Sequence, residues 1–139
     1  MLKIQKNDKW LATVRDDYQV GVFAYTRSGK VVLVTSRKVE SWILPKGNRA
    51  KKRSDRLQAK REAFEEAGLQ GSLNCKHYDF NSLEKSKNLR IYTMRVKTIL
   101  NDFQEKSERS RIVTTFDRAE KMVKQEYLEI IQELRKRIF

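Results

Sequence analysis

Residues 47–69 read GNRAKKRSDRLQAKREAFEEAGL, and the middle of that stretch carries the punctuation of a helix. Ser54 suits the N-cap, where a hydroxyl accepts one of the backbone N–H groups left over in the first turn. Asp55 places a carboxylate where the helix dipole favours it, and Gly68 supplies the stop. A helix over Asp55–Ala67 follows. At 100° per residue, Leu57, Ala59, Ala63, Phe64 and Ala67 are expected on the buried side, with Glu62, Glu65 and Glu66 on the neighbouring arc. Carboxylates at i, i+3 and i+4 repel one another. They form either a solvated acidic edge paired with nearby lysines or a seat for a cation. Oxygen donors on a rigid helix suit a hard divalent ion, Mg²⁺ or Mn²⁺, which leaves positions for water and substrate phosphate. Around them stand Lys46, Arg49, Lys51, Lys52, Arg53, Arg56, Lys60 and Arg61, with Asp55 the only acid in the group. Carboxylates inside a basic rim are what metal-assisted chemistry on phosphates needs.

Upstream, Tyr18 to Ser36 reads as two β-rich runs joined by Arg27–Lys30, a hairpin whose Gly29 can take a positive φ. The short apolar piece Trp42–Leu44 ends at the only proline, Pro45, and Lys46-Gly47-Asn48 is expected to open an irregular basic loop reaching Ser54. Downstream, Gln70–Phe80 and Leu89–Leu100 are extended candidates separated by a polar hairpin loop, Asn81–Asn88. Asn101–Arg111 reads as a charged loop. From Asp117 on, Val123, Tyr127, Ile130, Ile131 and Leu134 recur at helical spacing and predict one terminal helix. The order hairpin, helix, hairpin, helix predicts a mixed β-sheet flanked by helices, an α/β or α+β sandwich.

With 139 residues, one domain spanning 1–139 is expected. Hydrophobic residues at 39% are enough to close a core, which excludes wholesale disorder. Thirty-one Lys and Arg against 18 Asp and Glu give a net charge of +13, pointing toward polyanionic partners. One cysteine, Cys75, and one histidine, His77, exclude an intramolecular disulfide and a four-ligand zinc site built from Cys and His alone. Both read as structural, as do Trp10 and Trp42. No apolar run reaches the ~18 residues of a membrane span or the pattern of a signal peptide. The expectation is a soluble protein of the reducing cytoplasm, with no membrane partner.

The stretch Gly47–Leu69 resembles the Nudix box, G-x5-E-x7-R-E-U-x-E-E-x-G-U, where U is a bulky aliphatic residue. Gly47, Arg61, Glu62, Glu65, Glu66, Gly68 and Leu69 fall in register. The box glutamate expected six residues after Gly47 is Arg53, and Ala63 is small where an aliphatic residue is usual. The resemblance implies a Nudix α/β/α sandwich in which the box forms loop, helix and loop on a mixed sheet. It implies Glu62 and Glu66 as main metal ligands, Glu65 as a further ligand or water-activating group, and the Gly47 carbonyl as another ligand. Arg61 would orient the glutamates. Outside the box, Ser36-Arg37 and Trp42–Gly47 resemble the approach segment of diphosphoinositol polyphosphate phosphohydrolase-like Nudix proteins. Phe103–Arg111 resembles the stretch before the final helix in that branch, with Val113 where many relatives have tryptophan. Met1–Asp17 is left unexplained.

The resemblance implies a Mg²⁺-dependent pyrophosphohydrolase cleaving a phosphoanhydride bond. The charge favours a highly phosphorylated small-molecule substrate, a diphosphoinositol polyphosphate or a dinucleoside polyphosphate. Arg37, Lys46 and Arg53 are the candidate phosphate contacts, Arg53 being equally readable as one more solvated cation. Glu105 and Glu108 are candidates for a general base or extra ligand, or for surface ion pairs with Arg109 or Arg111. Two rival functions stand beside this one. They are an RNA 5′-end pyrophosphohydrolase, whose binding would be steeply salt-dependent, and a catalytically impaired Nudix-fold binding module, for which Arg53 is the argument.

Overall fold

A computed structural model describes residues 2–5, 18–37, 41–82 and 88–139; Trp10, residues 83–87 of the expected hairpin loop and most of the N-terminal segment lie outside the described residues. The strands are β1 (Leu2–Gln5), β2 (Tyr18–Tyr25), β3 (Lys30–Thr35), β4 (Trp42–Ile43), β5 (Lys46–Asn48), β6 (Leu69–Ser82), β7 (Asn88–Ile99) and β8 (Arg111–Thr115). The helices are α1 (Asp55–Ala67), α2 (Phe116–Met122) and α3 (Gln125–Ile138). The strands join in one mixed sheet, β1-β6-β7-β2-β3-β4, with β5 paired to β2 and β8 to β3. All pairs are antiparallel except β2 with β7, which run parallel from Tyr18 opposite Asn88 to Tyr25 opposite Arg95. The mixed α+β architecture expected from the sequence is the one observed.

Burial along β2 and β3 does not alternate. Val20, Val22, Phe23 and Ala24 and then Val31 to Val34 are all inaccessible to solvent. A strand buried without alternation is covered on both faces. The helices supply that cover, α1 packing on β2, β5 and β6 and α2 on β3 and β8. Phe23 of β2 stacks on Phe116 of α2 with ring centroids 5.9 Å apart.

The hairpin between β2 and β3 forms as read, with Gly29 at φ +82° in its turn. Its strands pair only at Tyr25 opposite Val31 and then part. Beyond that point β2 takes β5 as its antiparallel neighbour, Gln19 to Gly21 lying opposite Asn48 to Lys46. The expected irregular loop therefore begins only after Asn48, because the edge of β2 captures Lys46–Asn48 as a strand. A second difference is β8, paired with Lys30–Val34 of β3, where the sequence predicted no strand. The terminal helix is also broken. Val123 is extended and bridges to Trp42, and the Lys124 N–H donates to the Trp42 carbonyl at 3.1 Å. The edge of β4 thus competes for the backbone in mid-pattern, although Tyr127, Ile130, Ile131 and Leu134 are buried as the spacing predicts.

Helix α1 is pinned at both ends. At its start the Ser54 hydroxyl accepts from the Leu57 N–H, and Tyr18 donates its hydroxyl to Asp55 at 2.7 Å. Arg90, 6% exposed, reaches Asp55 at 3.4 Å while donating two hydrogen bonds to buried Asp79 at 2.8 and 2.9 Å. At its end Gly68 turns left-handed at φ +65°, and Arg111 donates to the Ala67 and Leu100 carbonyls at 2.7 and 2.6 Å. The buried face of α1 differs from the one expected. It is Gln58, Ala59, Ala63, Glu66 and Ala67, whereas Leu57 and Phe64 are exposed. Three alanines let the helix lie close to the sheet, and that close face carries Glu66 inward with it.

Candidate active site

The inward arc of α1 opens into a cleft of about 460 Å³, walled by β2, β5, the end of β3 and the 101–110 loop. Glu62, Glu65 and Glu66 line one side; Arg37, Lys46, Glu105 and Arg109 line others. Most of the residues singled out in the sequence are thus brought together. Arg61, Arg53 and Glu108 are the exceptions, none being among the lining residues.

Glu66 is 3% exposed. Its Oε1 accepts from the Lys46 N–H at 3.2 Å, and Arg109 Nη2 lies 3.7 Å from its Oε2. Burial drives its pKa well above the usual carboxylate range, and a hydrogen bond shared with Glu62 pushes the same way; Arg109 opposes both. Glu62 is in turn held by Gln58, whose Nε2 donates to it at 2.9 Å and to the Asn48 carbonyl at 3.0 Å. The backbone of β5 runs against Glu62 so closely that a β-carbon at Gly47 would overlap its carboxylate. A side chain there would have to displace that carboxylate. Two carboxylates forced together beside a strand backbone are a donor set for a hard cation, which would replace the shared proton. Among the described residues, no three His, Cys, Asp or Glu side chains converge as a ready-made metal cluster. Glu65 is turned aside, its Oε2 taken by Arg61 Nε at 3.1 Å, as i,i+4 spacing predicts.

The cationic side is graded by burial. Lys46 Nζ donates to Gln19 Oε1 at 2.8 Å; desolvation lowers its pKa, with Glu66 opposing. Arg37, with 55% of its side chain exposed, spans Glu105 at 3.0 Å and Glu108 at 3.2 Å. Glu105 is not a surface residue. It is 7% exposed, its backbone N–H is bonded to the Glu65 carbonyl at 3.0 Å, and its Oε1 takes Arg109 Nε at 2.7 Å. Burial alone would raise its pKa, but the Arg109 and Arg37 hydrogen bonds prevail and hold it below the usual range. Arg109 also donates to the Thr35 carbonyl at 2.8 Å, so one guanidinium ties β3, the loop and α1 together. Ser36, beside Arg37, lines the cleft with its hydroxyl oxygen buried and lacking a hydrogen-bond partner.

Sequence reasoning missed Gln58 and the central place of Arg109. The first had a signal, since Gln58 stands four residues before Glu62 on the same face. The second was visible only as a partner for Glu105. Arg53 donates Nη1 to Gln58 Oε1 at 2.8 Å. Arg56 is spent on the Asn74 and Leu73 carbonyls of β6. His77 and Cys75 sit on β6 away from the lining residues, the His77 ring tilted against Tyr92 with centroids 5.4 Å apart and Cys75 exposed.

No family model matches the chain, and neither does any curated protein. Solved structures do. The crystal structure of C. elegans Ap4A hydrolase superposes with a TM-score of 0.67 at 16% identity, over 88% of this chain and 98% of that one. A binary complex of C. elegans Ap4A hydrolase gives 0.66 at 18%, over 86% and 97%. The MutT protein of Methanosarcina mazei Go1 gives 0.65 at 13%, over 87% and 94%. The chain has the Nudix fold. Within that fold the box residues fall where the cleft is, Gly47 on β5 and the three glutamates on α1. No helix among the described residues is long and apolar enough to cross a membrane.

Proposed function

We propose that the chain is a Nudix pyrophosphohydrolase, a single domain that cleaves a phosphoanhydride bond in a highly phosphorylated small molecule with Mg²⁺ or Mn²⁺ as cofactor. The observation that carries this reading is the Glu62–Glu66 pair, pressed together against the β5 backbone in a cleft whose other walls present Lys46, Arg37 and Arg109. Burying a carboxylate beside another costs stability, and a site that keeps such a cost is a functional candidate. Glu62 and Glu66, with Glu65 and the Gly47 carbonyl in support, would hold the ion. Bound there, it would supply Lewis-acid activation of water and neutralisation of phosphate charge.

The chain's own side chains do the rest. Lys46 and Arg37 hold phosphate oxygens, and the Ser36 hydroxyl offers one further donor. Arg37 can exchange Glu105 and Glu108 for a substrate phosphate, since its side chain is half exposed while Glu105 stays fixed by Arg109. Glu105, freed of Arg37, and Glu65, released by Arg61, would accept a proton from the attacking water. The name of one structural neighbour, Ap4A hydrolase, and the net charge of +13 both favour dinucleoside polyphosphates, with diphosphoinositol polyphosphates the nearest alternative. The single exposed Cys75 accords with a reducing, cytoplasmic setting.

Product release with Mg²⁺ across dinucleoside polyphosphates, inositol pyrophosphates, nucleoside triphosphates and 5′-triphosphorylated RNA, run beside Glu66→Gln, tests this. We expect turnover of one dinucleoside polyphosphate class and at least a ~100-fold loss of kcat in the variant. Turnover of RNA alone would move the substrate class to RNA ends. Binding without turnover anywhere would make the protein a binding module.

A further inference from the structure

At the box position where the resemblance has glutamate, this chain has a cation whose guanidinium is used internally. Arg53 Nη1 donates to Gln58 Oε1 at 2.8 Å, and the Gln58 amide, on a side chain 8% exposed, donates both hydrogens onward, to Glu62 Oε1 at 2.9 Å and the Asn48 carbonyl at 3.0 Å. A primary amide has an acceptor end and a donor end and can sit either way round; guanidinium has donors only. Arg53 can therefore bond only the oxygen, which commits the NH₂ group to the two acceptors on its other side. Reversed, the amide would set its NH₂ against a guanidinium and its oxygen against a carboxylate and a carbonyl.

We propose that Arg53 is a positioning residue: acting through Gln58, it fixes the Glu62 carboxylate against the Gly47–Asn48 backbone in the orientation that receives the cation. The inference rests on the reading of Glu62 as a cation ligand. It also separates Arg53 from the phosphate-binding cations, because Arg53 does not line the cleft and its guanidinium is turned to Gln58. The glutamate of the family pattern and the arginine of this chain are then not interchangeable one at a time. A carboxylate at position 53 would bond the NH₂ end of Gln58 and turn its oxygen toward Glu62.

The sign of the effect on cation affinity is diagnostic. Removing a positive charge beside a dication site strengthens cation binding if charge alone acts; positioning demands the opposite. The experiment is a Mn²⁺ titration, read as loss of the free-ion electron paramagnetic resonance signal, on wild type, Arg53→Ala, Arg53→Lys, Arg53→Glu, Gln58→Ala and the Arg53→Ala/Gln58→Ala double variant. Far-UV circular dichroism confirms that each folds. Loss of an orienting partner around metal ligands typically weakens affinity 10–100-fold. We expect a weakening of about that size in Arg53→Ala and Arg53→Glu, recovery in Arg53→Lys, which keeps a donor for Oε1, and a double variant no worse than Gln58→Ala. Wild-type binding that is unchanged or tightened in Arg53→Ala overturns the inference alone. Wild-type protein that binds no Mn²⁺ overturns the ligand reading of Glu62 as well.

Discussion

Arg109 shows how much a single side chain can hold in this cleft. Its Nε–Glu105 bond of 2.7 Å, its Nη1 bond to the Thr35 carbonyl and the approach of its Nη2 to Glu66 engage all three guanidinium nitrogens, with 10% of the side chain exposed. Truncation would leave the buried Glu105 carboxylate without its closest counter-charge, and breaking a buried pair from one side costs about 3–5 kcal/mol. We expect Arg109→Ala to lower the thermal midpoint by several degrees and to cut turnover sharply. Arg109→Lys should recover little of either, because a point charge cannot reproduce the fork. Full activity in the lysine variant would show that only its charge matters. The sequence made the glutamates legible because helical spacing is a local rule. Of Arg109 only the pair with Glu105 was legible, because its other partners come from β3 and α1, far along the chain. The same distinction separates Gln58, four residues from Glu62, from the Lys46 N–H that meets Glu66 only through the β5 register.

At the scale of elements, boundaries set by caps were readable and boundaries set by pairing were not. Helix α1 begins and ends where Ser54 and Gly68 place it, each satisfying backbone groups within one turn. By contrast β5, β8 and the break at Val123 exist because the edges of β2, β3 and β4 capture extended chain. The misplaced Leu57 and Phe64 have a related cause: helical periodicity gives an arc, but the alanines decide which part of it approaches the sheet. Gly68 links helix end, loop and cleft. A β-carbon there would meet Arg111 Nη1 at 3.0 Å and the Leu100 carbonyl at 3.1 Å, on a backbone already at positive φ. Gly68→Ala should cost about 1–2 kcal/mol from the left-handed conformation alone, measured by urea unfolding. Because the Leu100 N–H donates to the Gly68 carbonyl at 2.9 Å, a shift here also moves the loop that carries Glu105. Stability unchanged by the substitution would mean that the turn relaxes without cost.

Across the whole molecule, charge and burial set opposing responses to alkali. The net charge of +13 at pH 7 means that raising pH first relieves repulsion among the lysines and arginines. Three tyrosines from three different elements work the other way. Tyr18 on β2, Tyr92 on β7 and Tyr127 on α3 each have a pKa raised above the ordinary 10.0, with burial the first cause in every case. For Tyr18 the hydrogen bond donated to Asp55 adds to it. A raised pKa means that the folded protein keeps a proton which the unfolded chain releases above pH 10. The stability contributed is fully present below that value and is lost as pH climbs toward the folded pKa. Each such group steepens the decline by up to ~1.4 kcal/mol per pH unit. Urea unfolding of wild type and Tyr18→Phe at pH 8, 10 and 11 separates this from a general loss of ion pairs. The phenylalanine variant should be less stable at pH 8, having lost the bond to Asp55, yet fall less steeply above pH 10, so that the two curves converge. Parallel curves would place the alkaline limit of the fold outside the Tyr18–Asp55–Arg90 anchor at the start of α1.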